Sequence, residues 1–400
     1  MNEVAEQYEA YPYPERDPAD ERKRLITGSP SHPLEIDHFV FGGMRDWAQP
    51  LRALVAGGGT GDALIQMAAV LTSAGRPYEI TYLDLSQASR KVAEARAEVR
   101  GLKGIKFVTG SLLDAPELGQ FDYIDCCGVL HHLPDPQEGF DALGRALAPT
   151  GGMGLMVYAP YGRSGVYPLQ EAFGALTAGL DPKARLAMAR AIYSRLPGGH
   201  PFRRNPHLSD HEQSDAGFYD LLLHSQDRPF LIGEVISSLD AAGLTYAGSP
   251  QAGLYDLAAM LPEGVGTHEM LDLRQQMTLA EKLNGTIRTH VLYAKPEGAK
   301  VVVAGKDPLS VPHLKGVSGA DIASQVEKHG RLTITQNGEK QVVAVVREVA
   351  PFLRQVDGRR SLKDIASAAK IDVFGFSSLW RPVERVLTGA GILVYSRLLT

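Results

Sequence analysis

The chain has 400 residues, of which 44% are hydrophobic and 22% charged, and its net charge is −5. This length suits two or three domains, and the composition excludes a disordered chain or a coiled coil. No apolar run reaches the roughly 20 residues of a membrane span, and the N-terminus lacks the pattern of a secretory signal. We therefore expect a soluble, cytoplasmic protein.

The charge distribution and the cysteine content indicate which kinds of partner the protein lacks. Residues 301–400 carry 14 Lys and Arg against 9 Asp and Glu, so this part is basic and the remainder acidic. That asymmetry indicates separate domains but lacks the concentrated basic stripe of a nucleic-acid-binding protein. Cys126 and Cys127 are adjacent and form neither a disulfide pair nor a zinc quartet. We expect no metal, nucleic acid or membrane partner.

Residues 51–160 alternate between strand and helix patterns. Short apolar runs typical of strands lie at 51–57, 78–84, 105–110, 121–128 and 151–160, with helical patterns between most of them. This spacing predicts a parallel sheet covered by helices.

Later residues are less regular. Helical patterns cover 169–195, 231–242 and about 267–283, and a final strand is predicted at 289–296. Beyond residue 300, helices are predicted at 319–328, 346–356, 361–370 and 377–389. A hairpin turning at Asn337-Gly338 and a terminal strand complete this part, which predicts a winged-helix module.

The strongest functional signal is the run from Ala56 through Gly57, Gly58, Gly59 and Gly61 to Asp62, where the first strand meets a helix. Glycines at this point allow a tight turn and a close approach to a ligand. Asp84 ends the second strand, where its carboxylate can accept hydrogen bonds from both hydroxyls of a ribose. Asp62 stands where a dinucleotide-binding loop has its third glycine, and its charge would repel a diphosphate. A nucleoside without phosphates, such as S-adenosyl-L-methionine (SAM), tolerates it.

Residues 51–160 resemble the core of class I SAM-dependent methyltransferases. The similar segments are VAGGGTG, YLDLS, FVTGSLLDAP and FDYIDCCGVLHHLPDP. The chain is most similar to a bacterial branch with an N-terminal Tyr-x-x-Tyr-Pro-Tyr-Pro segment, which begins here at Tyr8, and an HxxDRPF-like segment at 224–230. Its layout also resembles protein-lysine methyltransferases with a regulatory domain and a C-terminal winged helix.

The resemblance implies an α/β fold with a seven-stranded, Rossmann-like methyltransferase sheet. The implied units are an N-terminal lid segment at 1–50, a SAM-binding domain at 51–298 with a helical insertion at about 160–240, and a winged-helix-like α+β domain at 299–400. The cofactor would be SAM, and its product S-adenosyl-L-homocysteine (SAH).

The resemblance also implies roles for single residues. Cofactor-binding residues would be Gly57, Gly58, Gly59, Gly61, Asp84, Leu85, Ser111, Leu112, Cys127 and Gly128. The candidates for catalysis are His131, His132 and Tyr158. Substrate or lid residues would be Tyr8, Tyr11, Tyr13, His224 and Arg228. Two positions depart from the pattern, because Val55 replaces a frequent acid and Ser111 replaces Asp or Asn.

The methyl acceptor stays open between three interpretations. The large insertion and the extra C-terminal domain favour a protein lysine as acceptor. A small-molecule O-, N- or C-methyltransferase is the first alternative. The departures at Val55 and Ser111 leave room for a second, a SAM-binding regulator without catalysis.

Overall fold

A seven-stranded sheet lies at the centre of the computed structural model, which describes residues 3–336 and 338–400. The strand order is β3-β2-β1-β4-β5-β7-β6. The strands are β1 Leu51–Ala56, β2 Tyr78–Asp84, β3 Ile105–Thr109, β4 Phe121–Cys127, β5 Leu147–Tyr158, β6 Leu244–Gly248 and β7 Thr289–Pro296. The first five strands pair in parallel, and β7 runs antiparallel to β5 and β6. The predicted seven-stranded methyltransferase sheet is confirmed.

Helices cover both faces of this sheet. The helices are α1 Glu3–Ala10, α2 Pro33–Phe41, α3 Asp62–Ser73, α4 Gln87–Val99, α5 Pro136–Arg145, α6 Val166–Leu176, α7 Pro182–Tyr193, α8 Asp210–Gln213, α9 Asp215–Leu222, α10 Ile232–Ala241, α11 Leu257–Met260, α12 Leu273–Asn284, α13 Gly319–His329, α14 Ala350–Leu353, α15 Leu362–Ala368 and α16 Val373–Gly389. Apolar residues of α2, α3 and α4 pack on one face, and those of α5, α10 and α12 on the other. Each face is thereby shielded from water, as buried parallel strands require.

The predicted insertion at 160–240 divides into two parts in the structure. Side chains of α6, α7 and α9 form an apolar cluster of their own, whereas α10 belongs to the core beneath the sheet. The segment that follows α10 forms the edge strand β6, although its pattern did not predict a strand. Its pairing with β7 comes from tertiary contact between segments more than 40 residues apart in the chain.

The C-terminal residues form a separate core around Trp380. Strand β8 (Pro312–Leu314) pairs with β11 (Leu393–Tyr395), and β9 (Arg331–Gln336) forms a hairpin with β10 (Glu339–Ala344). Asn337, half of the predicted turn, lies outside the described residues. The winged-helix assignment stays a prediction. Within the described ranges, no helix combines the length and apolarity needed to cross a bilayer.

Asp37 of α2 joins the C-terminal unit to the sheet. Its buried Oδ2 accepts hydrogen bonds from the Ser396 hydroxyl at 2.7 Å, the Arg397 N–H at 2.9 Å and Trp47 Nε1 at 2.9 Å. Three donors on one carboxylate oxygen offset the loss of hydration that burial imposes. The two units are therefore linked through a fixed polar contact.

Candidate cofactor and acceptor site

A cavity of about 520 Å³ lies at the carboxyl ends of the central strands. Its walls come from the glycine loop, the ends of β2, β4 and β5, the N-terminal segment and the α9 region. In open α/β sheets this crevice is the usual ligand site, and the volume lies within the range of small-molecule pockets. The predicted residues that line it are Tyr8, Tyr13, Gly57, Gly58, Gly59, Asp84, Leu85, Ser111, Leu112, Cys127, Gly128, His132 and Tyr158.

The glycine loop is packed too closely for larger residues. Gly57 has φ 72°, and a Cβ there would come within 2.4 Å of the Val129 side chain. Gly59 has φ 51°, and its Cβ would lie 2.9 Å from the Tyr13 carbonyl oxygen. Both positions therefore need glycine for conformation and for space. The loop forms one wall of the cavity.

Asp84 holds this loop in place. Its carboxylate accepts hydrogen bonds from Gly59 N–H at 2.7 Å and Ser86 N–H at 2.8 Å. Burial raises the pKa of Asp84, and these two bonds act in the opposite direction. Leu85 beside it is 45% exposed. A carboxylate next to an open apolar side chain fits a ribose and an adenine, so the site suits the nucleoside part of SAM.

Ser111 plays a local structural part at the edge of the cavity. Its hydroxyl oxygen accepts a hydrogen bond from Leu113 N–H at 3.2 Å and so caps the turn that follows β3. One acceptor site of the hydroxyl is therefore occupied, while its proton stays available to a ligand.

Asp62 lines the cavity but is neutralised, contrary to the sequence argument. It accepts hydrogen bonds from Arg16 Nη2 and Arg96 Nη1, each at 2.7 Å. Burial alone would raise the pKa of Asp62, but hydrogen bonds and charges of the two arginines lower it. The inference that Asp62 repels a diphosphate was wrong in its premise, because the pattern could not show arginines from distant segments.

The N-terminal segment lies across the glycine loop. The Thr60 hydroxyl donates to the Pro14 carbonyl at 2.7 Å, and Gln87 N–H at the start of α4 donates to Glu9 Oε1 at 2.5 Å. Tyr8 and Tyr13 line the cavity, whereas Tyr11 stacks on Tyr219 with ring centroids 5.0 Å apart. The segment thus forms part of the cavity wall next to the glycine loop, and its role as a lid stays a prediction.

Asp220 of α9 also lines the cavity, and it accepts hydrogen bonds from two tyrosines. The Tyr8 hydroxyl donates to its Oδ1 at 3.1 Å, and the Tyr158 hydroxyl donates to its Oδ2 at 3.4 Å. The carboxyl is 3% exposed, and burial raises its pKa to about 7. Burial, together with the charge of Asp220, raises the pKa of Tyr8, which keeps that phenol protonated as a donor.

Two stacked histidines lie beside Asp220, and their hydrogen bonds fix their tautomers. His132 Nδ1 lies 2.8 Å from the Gln226 carbonyl, so Nδ1 carries the proton and Nε2 the lone pair. His224 Nδ1 accepts from Gln226 N–H at 3.1 Å, so its proton is on Nε2, 3.2 Å from the Tyr8 hydroxyl. Burial lowers the pKa of both rings, which are therefore neutral.

The same cluster has the spacing of a metal site. Ligand atoms of His132, Asp220 and His224 all lie within 4.8 Å of one another. In this hydrogen-bonded arrangement His224 Nε2 carries a proton and faces the Tyr8 hydroxyl, so it offers no lone pair to a metal ion. The hydrogen bonds account for this arrangement as a polar network.

The remaining predicted residues lie outside the lining formed by the described residues: Gly61, Tyr11, His131, His224 and Arg228. His131 is fully buried under the Tyr158 ring, at a centroid distance of 4.1 Å. Arg228 forms an exposed ion pair with Glu234. A direct catalytic role therefore fits His132 and Tyr158 better than His131.

Sequence reasoning missed three acids of the cavity, Asp125, Asp210 and Asp220. Asp125 interrupts the apolar pattern of β4, and a charge within a buried strand could have been noticed. Asp220 lies in the helical insertion, where no motif marks it.

Comparison with known proteins identifies the central domain. Residues 54–153 match the methyltransferase domain family. Residues 54–153 are therefore a methyltransferase domain. An uncharacterized protein of Synechococcus sp. is 34% identical over 251 residues, which are 61% of this chain and 59% of that protein. The chain thus spans less than two thirds of this relative. A ubiquinone biosynthesis O-methyltransferase of Psychrobacter cryohalolentis is 35% identical over 81 residues, 20% of this chain and 32% of that enzyme.

The fold of the methyltransferase domain and its surroundings recurs in a solved structure. PKMT2 from Rickettsia typhi superposes with a TM-score of 0.64 at 15% identity, covering 94% of this chain and 77% of PKMT2. Its complex with AdoHcy, which is SAH, gives a TM-score of 0.60 at 14% identity with the same coverage. At this identity the likeness concerns the fold.

Proposed function

We propose that the protein transfers the methyl group of SAM to an amine, carried by a lysine side chain of another protein. The observation that carries the amine is Asp220, a buried carboxyl held by two phenols inside the cavity. An amine arrives in water as an ammonium ion, and a carboxylate in a site with little water attracts that ion. A phenol or a carboxylate acceptor carries no positive charge, so a carboxylate in the site would not attract it.

The side chains around Asp220 suit deprotonation of the bound ammonium. Neutral His132 has its lone pair on Nε2, so it can accept one proton from the ammonium and leave the free amine. SAM, held by the glycine loop and Asp84, would supply an activated methyl on a sulfonium for transfer to the free amine. Alignment within a closed cavity lowers the barrier by several kcal/mol.

Two features support a protein acceptor. The fold similarity to PKMT2 extends over 94% of the chain and so includes the insertion and the C-terminal unit. Residues of the helical insertion contribute Asp220 directly to the cavity, which ties the insertion to acceptor binding. Both features agree with the resemblance to protein-lysine methyltransferases that the sequence layout shows.

A small-molecule acceptor is the second candidate, and the limited volume of the cavity favours it. Tyr8 and Tyr13 cover the cavity, and its volume of about 520 Å³ must hold the cofactor as well. The remaining space suits a slender side chain or a small molecule. One labelling experiment can distinguish the two candidates.

The test is incubation of the purified protein with SAM carrying a radiolabelled methyl and a bacterial lysate, followed by gel separation. Label that stays in protein bands and is recovered as methyl-lysine after acid hydrolysis supports the proposal. Label confined to the small-molecule fraction favours the second candidate. Absence of transfer, with SAH binding intact, points to the regulator. Asp84→Ala is the matched control, because it should abolish transfer to any acceptor.

A further inference from the structure

Asp125 of β4 is a buried acid that no motif explains. Its side chain is 1% exposed, and Oδ2 has no hydrogen-bond partner among residues 3–336 and 338–400. Burial raises the pKa of this carboxyl to about 7, and the neighbouring Ser31 and Tyr123 side chains act in the other direction. Leaving a buried carboxylate oxygen unpaired is unfavourable, so the site calls for a partner that the chain itself does not supply.

The strand register places Asp125 beside the glycine loop. Asp125 pairs with Val55 across the parallel strands β4 and β1, and Val55 lies two residues before Gly57. Laterally paired residues in a parallel sheet point to the same face. Both line the cavity. Asp125 is therefore part of the wall next to the loop, and its unpaired oxygen is buried just behind the surface of that wall.

Three other acids of the cavity wall have partners, and a fourth, Asp210, is only half-buried. Asp62 binds two arginines, Asp84 binds two backbone N–H groups, and Asp220 binds two phenols. Asp125 thus differs from Asp62, Asp84 and Asp220 in having a buried oxygen without a hydrogen-bond partner among the described residues.

We propose that Asp125 binds the α-ammonium group of the methionine part of SAM, in place of an acid at Val55. This inference rests on the SAM site of the proposed function but not on the acceptor. An ammonium ion is the cationic donor that a buried carboxylate beside this loop would select, and its charge would keep Asp125 ionised. Binding at this point would set the direction of the cofactor's tail relative to Asp84.

The test compares SAH with an analogue in which hydrogen replaces the α-amino group, by calorimetric titration. In the parent protein we expect SAH to bind at least roughly 10-fold more tightly than the analogue, since a charged hydrogen bond is lost. Asp125→Asn should weaken SAH by roughly 10- to 100-fold and leave the analogue within about twofold. Thermal unfolding checks that each variant is folded.

Two further variants sharpen the result. Val55→Asp combined with Asp125→Asn returns the carboxylate across the strand pair and should restore SAH affinity. Asp122→Asn is the matched control on the same strand, because Asp122 pairs with Arg52 outside the cavity.

Equal binding of SAH and the analogue by the parent would overturn the inference, even if no variant folds. An equal loss of affinity for SAH and for the analogue in Asp125→Asn would also overturn the inference. A parent protein that does not bind SAH would overturn the SAM site itself.

Discussion

The Tyr8 hydroxyl donates to Asp220 Oδ1 at 3.1 Å, although 212 residues separate the two in the sequence. This bond joins helix α1 of the N-terminal segment to helix α9 of the insertion. Each helix closes a different side of the cavity, and Tyr158 at the end of β5 bonds to the same carboxylate. The environment of Asp220 is therefore assembled from three distant segments.

Tyr8→Phe should impair transfer more than cofactor binding. The change removes the hydroxyl that bonds to Asp220 and lies 3.2 Å from His224, while the aromatic ring remains. We expect kcat to fall by about tenfold, the effect of one charged hydrogen bond, with SAH affinity within about twofold. Tyr11→Phe is the matched control, because its ring contact with Tyr219 is kept. Equal loss of kcat in both variants would contradict the assigned role of Tyr8.

Asp84→Ala should weaken SAH binding by roughly 1–3 kcal/mol, because charged hydrogen bonds to the ribose are lost. The variant also releases Gly59 N–H from its acceptor, so the loop loses part of its support. Calorimetric titration measures the effect. Glu79→Ala, an exposed position on the same strand, should bind SAH as the parent does. Unchanged affinity in Asp84→Ala would refute the ribose assignment.

Arg96→Ala should strongly destabilise the fold. Arg96 is 1% exposed and pairs with Glu21 and Asp62, both at 2.7 Å. Its removal takes one of two arginine partners from each acid, because Asp62 keeps Arg16 and Glu21 keeps Arg100, and we expect the loss of these charged hydrogen bonds to lower the free energy of unfolding by about 2–3 kcal/mol. Arg90→Ala on the same helix breaks an exposed pair with Glu94 and should lower it by at most about 0.5 kcal/mol. Urea denaturation tests both, and similar effects would contradict the prediction.

The stability contribution of Asp220 should depend on pH. Its pKa is about 7 in the folded protein, whereas an unfolded aspartate has a pKa of about 3.9. Between these values the folded state keeps a proton that the unfolded state has lost, so stability falls as pH rises through this window. Relative to Asp220→Asn, the parent should lose on the order of 2 kcal/mol between about pH 4 and pH 8. Urea denaturation of both proteins across this range measures the difference, and a constant difference would be the contrary result.

The sequence by itself determined the parallel strands of the sheet and the position of the glycine loop near Asp84. Strand and helix patterns are local, and the glycine loop needs residues that tolerate positive φ at Gly57 and Gly59. Asp84 could be assigned from the sequence, because β1 and β2 are adjacent parallel strands and their carboxyl ends meet, with Ala56 paired to Leu83. Adjacency in the chain therefore carried enough information for this half of the cavity.

Only the tertiary structure decided which charges are free and which are paired. Arg16 neutralises Asp62 from 46 residues away, and Asp220 reaches Tyr8 from a helix without any motif. The position of Asp125 beside Val55 depends on strand order, since β4 rather than β3 is the second neighbour of β1. These contacts depend on how distant segments pack together. The sequence pattern of one segment does not show which side chains of another segment will contact it.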